Sequence, residues 1–319
     1  MEWLADLSAA VLLFSLLMYL MLDGTDLGAG MLLFFFEDEE QKRSIVKSML
    51  PIWDANETWL VLLAGGLFAL FPAAYALLFS ALYIPVFVML FCLILRALAL
   101  EYRETVSVET RRWLDKLLPV SSALAAYCQG ACAGLIVSGR FSADAFSWLG
   151  LYPVLSGLGL IFVYLLLGCG WIRWRVGDGK VKGTLRFSRY FLLLNLGLFL
   201  VVQCINPAPW QHVWQLAWGK GLIILIILLW LFLLSALQKL SPFIQLALSL
   251  ILLAAIVIQT AAGIYPELIP GRMNLHQAAS GDITQMFILT GIAFVIPVTL
   301  IYHSWAFWVF HGKIKSEGK

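Results

Sequence analysis

Asp23 and Asp26 stand three residues apart inside a long apolar run, and Asp54 and Glu57 repeat that spacing at the head of the next one. A spacing of three places both members of a pair on one side of a helix. Arg96 sits near the end of a third apolar run and is followed by Glu101. Two chemistries suit this set. In the first, the guanidinium neutralises a carboxylate and the charges hold helices in register. In the second, carboxyls withdrawn from water and crowded by their own kind titrate closer to neutral pH, where they can take up and release protons. Four or five acids against one Arg leave an excess that pairing does not absorb, which favours the relay over the purely structural network.

The elements that must position these groups are membrane spans. Of the 319 residues, 62% are hydrophobic and 13% charged, against roughly 45–50% and 25% in soluble domains. A net charge of +2 points neither to a basic nucleic-acid binder nor to an acidic solvating tail. A spanning helix needs about 20 mostly apolar residues. Nine segments meet this, at about 8–35, 52–71, 75–99, 117–137, 148–171, 188–206, 219–236, 243–263 and 284–310, with ends uncertain by roughly 2–4 residues. The expected fold is therefore all-α, a polytopic membrane protein with residues 1–319 forming a single transmembrane domain. No Lys or Arg precedes the first apolar run, so that run reads as a retained span instead of a cleaved signal.

Charge placement orients the spans. With the N-terminus outside and the C-terminus inside, 17 of the 21 Lys and Arg fall in inner segments; Arg140, Lys220 and Arg272 fall outside, and Arg96 lies within a span. Such a bias is the positive-inside pattern. It puts the end of the first span, the start of the second and the end of the third on the inner side. The six ionisable groups Asp23, Asp26, Asp54, Glu57, Arg96 and Glu101 thus gather in the cytoplasmic half of three consecutive helices. An isolated charge at mid-bilayer costs at least about 2.5–3.5 kcal/mol, so these groups must face protein or water and pair with one another. Gly24, Gly28 and Gly30 supply a small-residue face for close helix approach near the Asp pair, and Gly65 and Gly66 offer the same in the second span.

Other features read as scaffold. Trp210, Trp214 and Trp218 recur every four residues beside Gln211 and Gln215, a pattern for a short helix lying at the outer interface. Trp305 and Trp308 read as an aromatic belt. The connection from Gly263 to Asp282 is the longest outside the charged loops. Cys92, Cys128, Cys132, Cys169 and Cys204 all lie in apolar runs and read as small buried hydrophobes; Cys128 and Cys132 share a helix face, but no His or carboxylate lies near them in sequence to complete a metal site. His212 and His276 fall in outer loops, His303 near the inner end of the last span and His311 just beyond it. No span offers an inward pair of His, so the chain does not read as a haem binder. Nucleotide loops, zinc motifs and nucleophile elbows are not seen.

The run Asp23-Gly24-Thr25-Asp26-Leu27-Gly28-Ala29-Gly30-Met31-Leu32 resembles the DGFDLGxGML motif of subunit II of the cytochrome bd-type quinol oxidases. Trp53-Asp54-Ala55-Asn56-Glu57-Thr58-Trp59-Leu60 resembles the WDGNxxWL motif of the same family. Arg96 through Glu101-Tyr102-Arg103 resembles its Arg-rich exit from the third span, and Met273 to Gln285 and Pro297 to Ile314 are also similar. Ala55 stands where Gly is usual, which alters the packing around Asp54. Thr25 stands where Phe is usual and adds a hydroxyl for a hydrogen-bonded chain.

The resemblance implies two four-helix bundles plus a peripheral helix, in a bacterial plasma membrane. It implies a chain without haem of its own, beside a larger subunit I that carries the b- and d-type haems, oxidises quinol at the outer face and reduces O2. It implies that protons reach that haem site from the cytoplasm through Asp54, which makes the reaction electrogenic without pumping. On this reading Glu57, Asp23 and Asp26 join the path, Glu101 marks its entrance, and Arg96, with Trp53 and Asn56, pairs with and tunes the acids. It leaves room for a small third subunit and for a bound quinone or lipid. The rivals are a proton-coupled secondary transporter, which would be expected to show inverted repeats and midplane charges, and a purely structural assembly subunit.

Overall fold

The computed structural model describes residues 2–141, 145–177, 181 and 183–309. Lys180, Lys182, His311, Lys313, Lys315 and Lys319, and the ends of the last span and of the Pro297–Ile314 motif, lie outside the described residues. The helices are α1 (Glu2–Leu32), α2 (Glu39–Met49), α3 (Trp53–Leu70), α4 (Pro72–Tyr102), α5 (Val108–Ser138), α6 (Leu151–Arg175), α7 (Thr184–Ile205), α8 (Ala208–Gln215), α9 (Gly219–Ala236), α10 (Pro242–Ile264), α11 (Leu275–Ala278) and α12 (Asp282–Val309). Among the described residues, eight helices are long and apolar enough to cross a membrane. The second expected span corresponds to α3, which is 18 residues long but opens on Asp54, Asn56 and Glu57, so its head is too polar to join the eight.

Local chemistry sets the ends. Pro72 opens α4 and Pro242 opens α10, where a missing N–H costs nothing. The hydroxyls of Ser107 and Ser241 accept from the backbone N–H of Thr110 and Ile244, capping α5 and α10. Gly139 ends α5 at a φ of 62°, a conformation that favours glycine. Several helices outrun the expected spans: α5 begins at Val108 instead of near 117, and α4 ends at Tyr102 instead of 99. Apolarity marks only the hydrocarbon layer, whereas helical hydrogen bonding continues through the interface. Pro85, Pro119 and Pro297 sit inside α4, α5 and α12, where neighbouring helices hold the chain.

Three connecting pieces have structure that the apolar pattern did not mark. The charged helix α2 fills the connection between α1 and α3; Asp38 caps it by accepting from the Glu40 N–H at 3.1 Å. α8 carries Trp210 and Trp214 as the four-residue spacing suggests, but it ends at Gln215 and leaves Trp218 outside. The Gly263–Asp282 connection holds a hairpin of β1 (Glu267–Ile269) and β2 (Met273–Asn274), a small exception to the all-α class. The Ser280 N–H beyond it donates to the Leu70 carbonyl at 2.8 Å, anchoring the loop on the end of α3.

α1 is the centre of the molecule, packed against α3, α5 and α6, while α4 lies on α5, and α6 carries α7 and α10. α12 touches α3 and α1 only lightly and is the least buried of the eight apolar helices. Glycine makes the α1–α6 approach possible. A Cβ on Gly28 would lie 1.8 Å from the Tyr164 carbonyl oxygen, and one on Gly24 would lie 2.3 Å from the Tyr164 ring. Gly30 sits against Ser122 and Gly66 against Leu12, but Gly65 faces open space, so the second glycine pair is split between packing and surface. Of the five cysteines, all free, Cys204 is exposed on α7 and Cys132 half-buried; the other three are buried.

Candidate functional site

The end of α1, the start of α3 and the end of α4 converge on Arg96. Its guanidinium is buried and forks between two helices: Nη1 donates to Asp23 Oδ1 at 2.6 Å and Nη2 to Glu57 Oε1 at 3.0 Å. Asp26, one turn beyond Asp23, accepts from Asn56 Nδ2 at 2.7 Å. Asp23, Asp26 and Asn56 are all buried, and Glu57 keeps 30% of its side chain exposed. A planar guanidinium suits this role because its fork can hold two carboxylates at fixed angles. Four polar atoms of the group have no protein partner: Asp23 Oδ2, Asp26 Oδ1, Asn56 Oδ1 and Arg96 Nε. Two carboxyls therefore share one guanidinium and a third is held by Asn56 beside them, with acceptor capacity left over.

The remaining sequence candidates fall elsewhere. Asp54 is exposed at the head of α3 and is not part of the Arg96 fork. It shares its side of the helix with Thr58, Val61, Gly65 and Phe68, all exposed and spaced alternately four and three apart. Glu101 and Trp53 meet at the rim of the group, where the indole Nε1 donates to Glu101 Oε1 at 3.0 Å. The Thr25 hydroxyl donates to the Met21 carbonyl at 2.7 Å and is spent on its own helix. Among the described residues, no group of three or more His, Cys, Asp or Glu could hold a metal ion.

Three features of the region went unread in the sequence. Behind Asp23, the Tyr164 hydroxyl donates to Gln129 Oε1 at 2.7 Å and Gln129 Nε2 donates to the Tyr19 oxygen at 2.8 Å. Tyr19, one turn before Asp23, is the signal that could have pointed there. Beside Asn56, the Trp59 ring lies 5.9 Å from that of His303, which is buried and bonded through Nδ1 to the Thr299 carbonyl. Below the network, Arg103 binds Asp115 through Nε and Nη2 at 2.6 and 3.2 Å, Glu104 at 2.8 Å and Glu39 at 2.7 Å, clasping α2 to the α4–α5 turn. Burial opposes the Arg103 charge, but the hydrogen bonds and charge of Asp115, with those of Glu39, outweigh it and push the guanidinium pKa up.

A membrane-embedded helical chain with a buried carboxylate–guanidinium group has relatives of known kind. The chain belongs to the cytochrome bd terminal oxidase subunit II family, whose model matches residues 4–310. It is 22% identical to the cytochrome bd-I ubiquinol oxidase subunit 2 of Escherichia coli K12, over 92% of this chain and 91% of that protein. It is 38% identical to the cytochrome bd ubiquinol oxidase subunit 2 of Bacillus subtilis 168, over 30% of this chain and 28% of that protein. Its fold is similar to a chain in the structure of bd oxidase from Geobacillus thermodenitrificans, with a TM-score of 0.78 at 16% identity, covering 97% of each chain. It is thus a multi-pass bacterial membrane protein and a subunit of an oxidoreductase complex, alongside a subunit I.

Proposed function

We propose that this chain is the haem-free subunit II of the oxidase and carries protons from the cytoplasm toward the oxygen-reducing haem of subunit I. The observation that carries this reading is the group around Arg96. Three carboxyls and one guanidinium meet at the ends of three helices, with buried acceptor atoms that water can satisfy. A merely structural network would be expected to spend its polar atoms on one another. Charge placement supports the N-terminus outside and the C-terminus inside, which puts the group on the cytoplasmic side. Trp53 and Glu101 stand at its cytoplasmic rim as an entrance, Glu57, Asp23 and Asp26 hold the proton within the chain, and Arg96 and Asn56 fix their geometry.

Asp54 takes a separate role in this reading. An exposed carboxylate facing lipid would be costly, and the spacing of Asp54, Thr58, Val61, Gly65 and Phe68 is that of a helix seam. Subunit I seats on this stripe, covers Asp54 and receives the proton from it. The chain has nine spans, in two four-helix groups of α1, α3, α4, α5 and α6, α7, α9, α10, with α12 at the edge. The haems b and d lie in subunit I, quinol is oxidised at the outer face, and the reaction is electrogenic without pumping. Room remains for a small third subunit and a bound quinone or lipid.

The test is Asp54→Asn in the whole complex. The variant is expected to assemble with its full haem absorption while quinol-driven O2 uptake falls by about 100-fold, the scale of a lost proton-transfer group. Turnover at the level of the unmodified complex would sink proton delivery through Asp54. A purified chain that travels without any haem-bearing partner and accumulates a solute would favour the transporter instead.

A further inference from the structure

Three side chains from three helices, Tyr19 of α1, Gln129 of α5 and Tyr164 of α6, form a buried hydrogen-bonded chain. Its direction follows from the orientation of the Gln129 amide, whose oxygen lies toward Tyr164 and whose NH2 lies toward Tyr19. The Gln129 carbonyl can only accept and its NH2 can only donate, so Tyr164 donates to Gln129 and Gln129 donates to Tyr19. The Tyr19 oxygen is then occupied as an acceptor, and its own hydrogen remains to be given. Asp23 lies one helical turn on, on the same side of α1. The Asp23 Oδ1 atom is already held by Arg96, whereas Oδ2 is buried with no protein partner.

We propose that Tyr19 is a positioning residue for proton delivery, oriented by Gln129 and Tyr164 so that its hydroxyl is presented to the free oxygen of Asp23 through one bound water. Asp23 is then held from both sides, by Arg96 in front and by the phenol behind. The device also accounts for a sequence feature. The Tyr164 ring that reaches Gln129 lies in space a side chain at position 24 would fill, with ring carbons 2.3–2.8 Å from where its Cβ would stand. Gly24 is thus part of the same arrangement. The middle link is an amide, which hydrogen-bonds but does not titrate. The chain therefore orients Asp23 without offering the proton a way onward into the α5–α6 interior. The charged and titratable groups facing Asp23 are Arg96 from α4, Glu57 from α3, Asp26 and Tyr19 from its own helix, and Tyr164 from α6.

The inference rests on the proton-delivery reading, and the experiment separates the two. Tyr19→Phe, Gln129→Leu and Asp23→Asn are made in the whole complex, and quinol-driven O2 uptake is followed from pH 5 to 9, with haem absorption as the measure of assembly. Tyr19→Phe is expected to lower turnover by about tenfold and to displace the pH of half-maximal turnover by about one unit, the scale of one hydrogen bond to a charged group. Gln129→Leu, which frees the phenol to rotate, is expected to displace it in the same direction by less. An assembled Tyr19→Phe complex with unchanged rate and profile, beside an inactive Asp23→Asn, overturns the positioning role and leaves the proton path standing. Slower turnover with an unmoved profile also overturns it, since damaged packing alone would do that. Should Tyr19→Phe not assemble, an unmoved profile in Gln129→Leu overturns the role and a displaced one supports it. Unmodified turnover in Asp23→Asn overturns the path itself.

Discussion

Arg96 serves Asp23 and Glu57 through its two Nη atoms, at 2.6 and 3.0 Å; the Asp23 contact is fully buried, whereas Glu57 keeps part of its side chain exposed. Removing one partner of a buried pair leaves an uncompensated charge and costs about 3–5 kcal/mol. Arg96→Gln is accordingly expected to lower the thermal unfolding midpoint of the purified complex and its yield. Combining it with Asp23→Asn should restore part of the loss, because the second change removes the stranded charge. Arg96→Lys keeps the charge but not the fork, so it should fall between the two. An Arg96→Gln complex as heat-stable as the original would show that the pair contributes little. The types and spacing of Asp23, Asp26, Glu57 and Arg96 made this group legible in the sequence. What could not be read was which atoms meet, and that Asp54, three residues before Glu57, turns away from Arg96. α3 is apolar around most of its circumference below its first turns, so nothing in its pattern fixes its rotation.

Helices in lipid gain no hydrophobic drive from touching each other, so α1 and α6 associate through close backbone approach. Gly28 is the tightest point, with its virtual Cβ 1.8 Å from the Tyr164 carbonyl oxygen, whereas a Cβ on Gly197 in α7 would meet nothing within 4 Å. Gly28→Ala is expected to cost about 1–3 kcal/mol through overpacking, read as a lower unfolding midpoint, while Gly197→Ala should be neutral. Equal effects of the two would mean that the α1–α6 contact is not a stability determinant. The glycines were visible in the sequence, but their partner was not, because a helix face shows that something comes close without saying which helix. The same blindness applies to α2: eleven residues, five of them charged, give no apolar run to detect, and its place is set by Glu39 reaching Arg103 across 64 positions.

As a whole the molecule presents two kinds of surface. Most of it is plain apolar side chain, as on α12, where Ile283, Phe287 and Phe294 stand exposed. The stripe on α3 is different, since Asp54, Thr58 and Gly65 interrupt Val61 and Phe68. If subunit I sits there, Gly65→Leu should leave this chain folded in the membrane yet reduce the haem that copurifies with it several-fold. Undiminished haem would assign the stripe to lipid. The polar head of α3 has one more consequence, for the order of events at the ribosome. When α3 emerges from the insertion machinery its carboxylates have no counter-charge, because the guanidinium that Glu57 needs lies 39 residues further along the chain. If α3 spans the bilayer, it is expected to settle there only after α4 has been made, the two entering as a pair, so that the timing of synthesis becomes part of how the site is assembled.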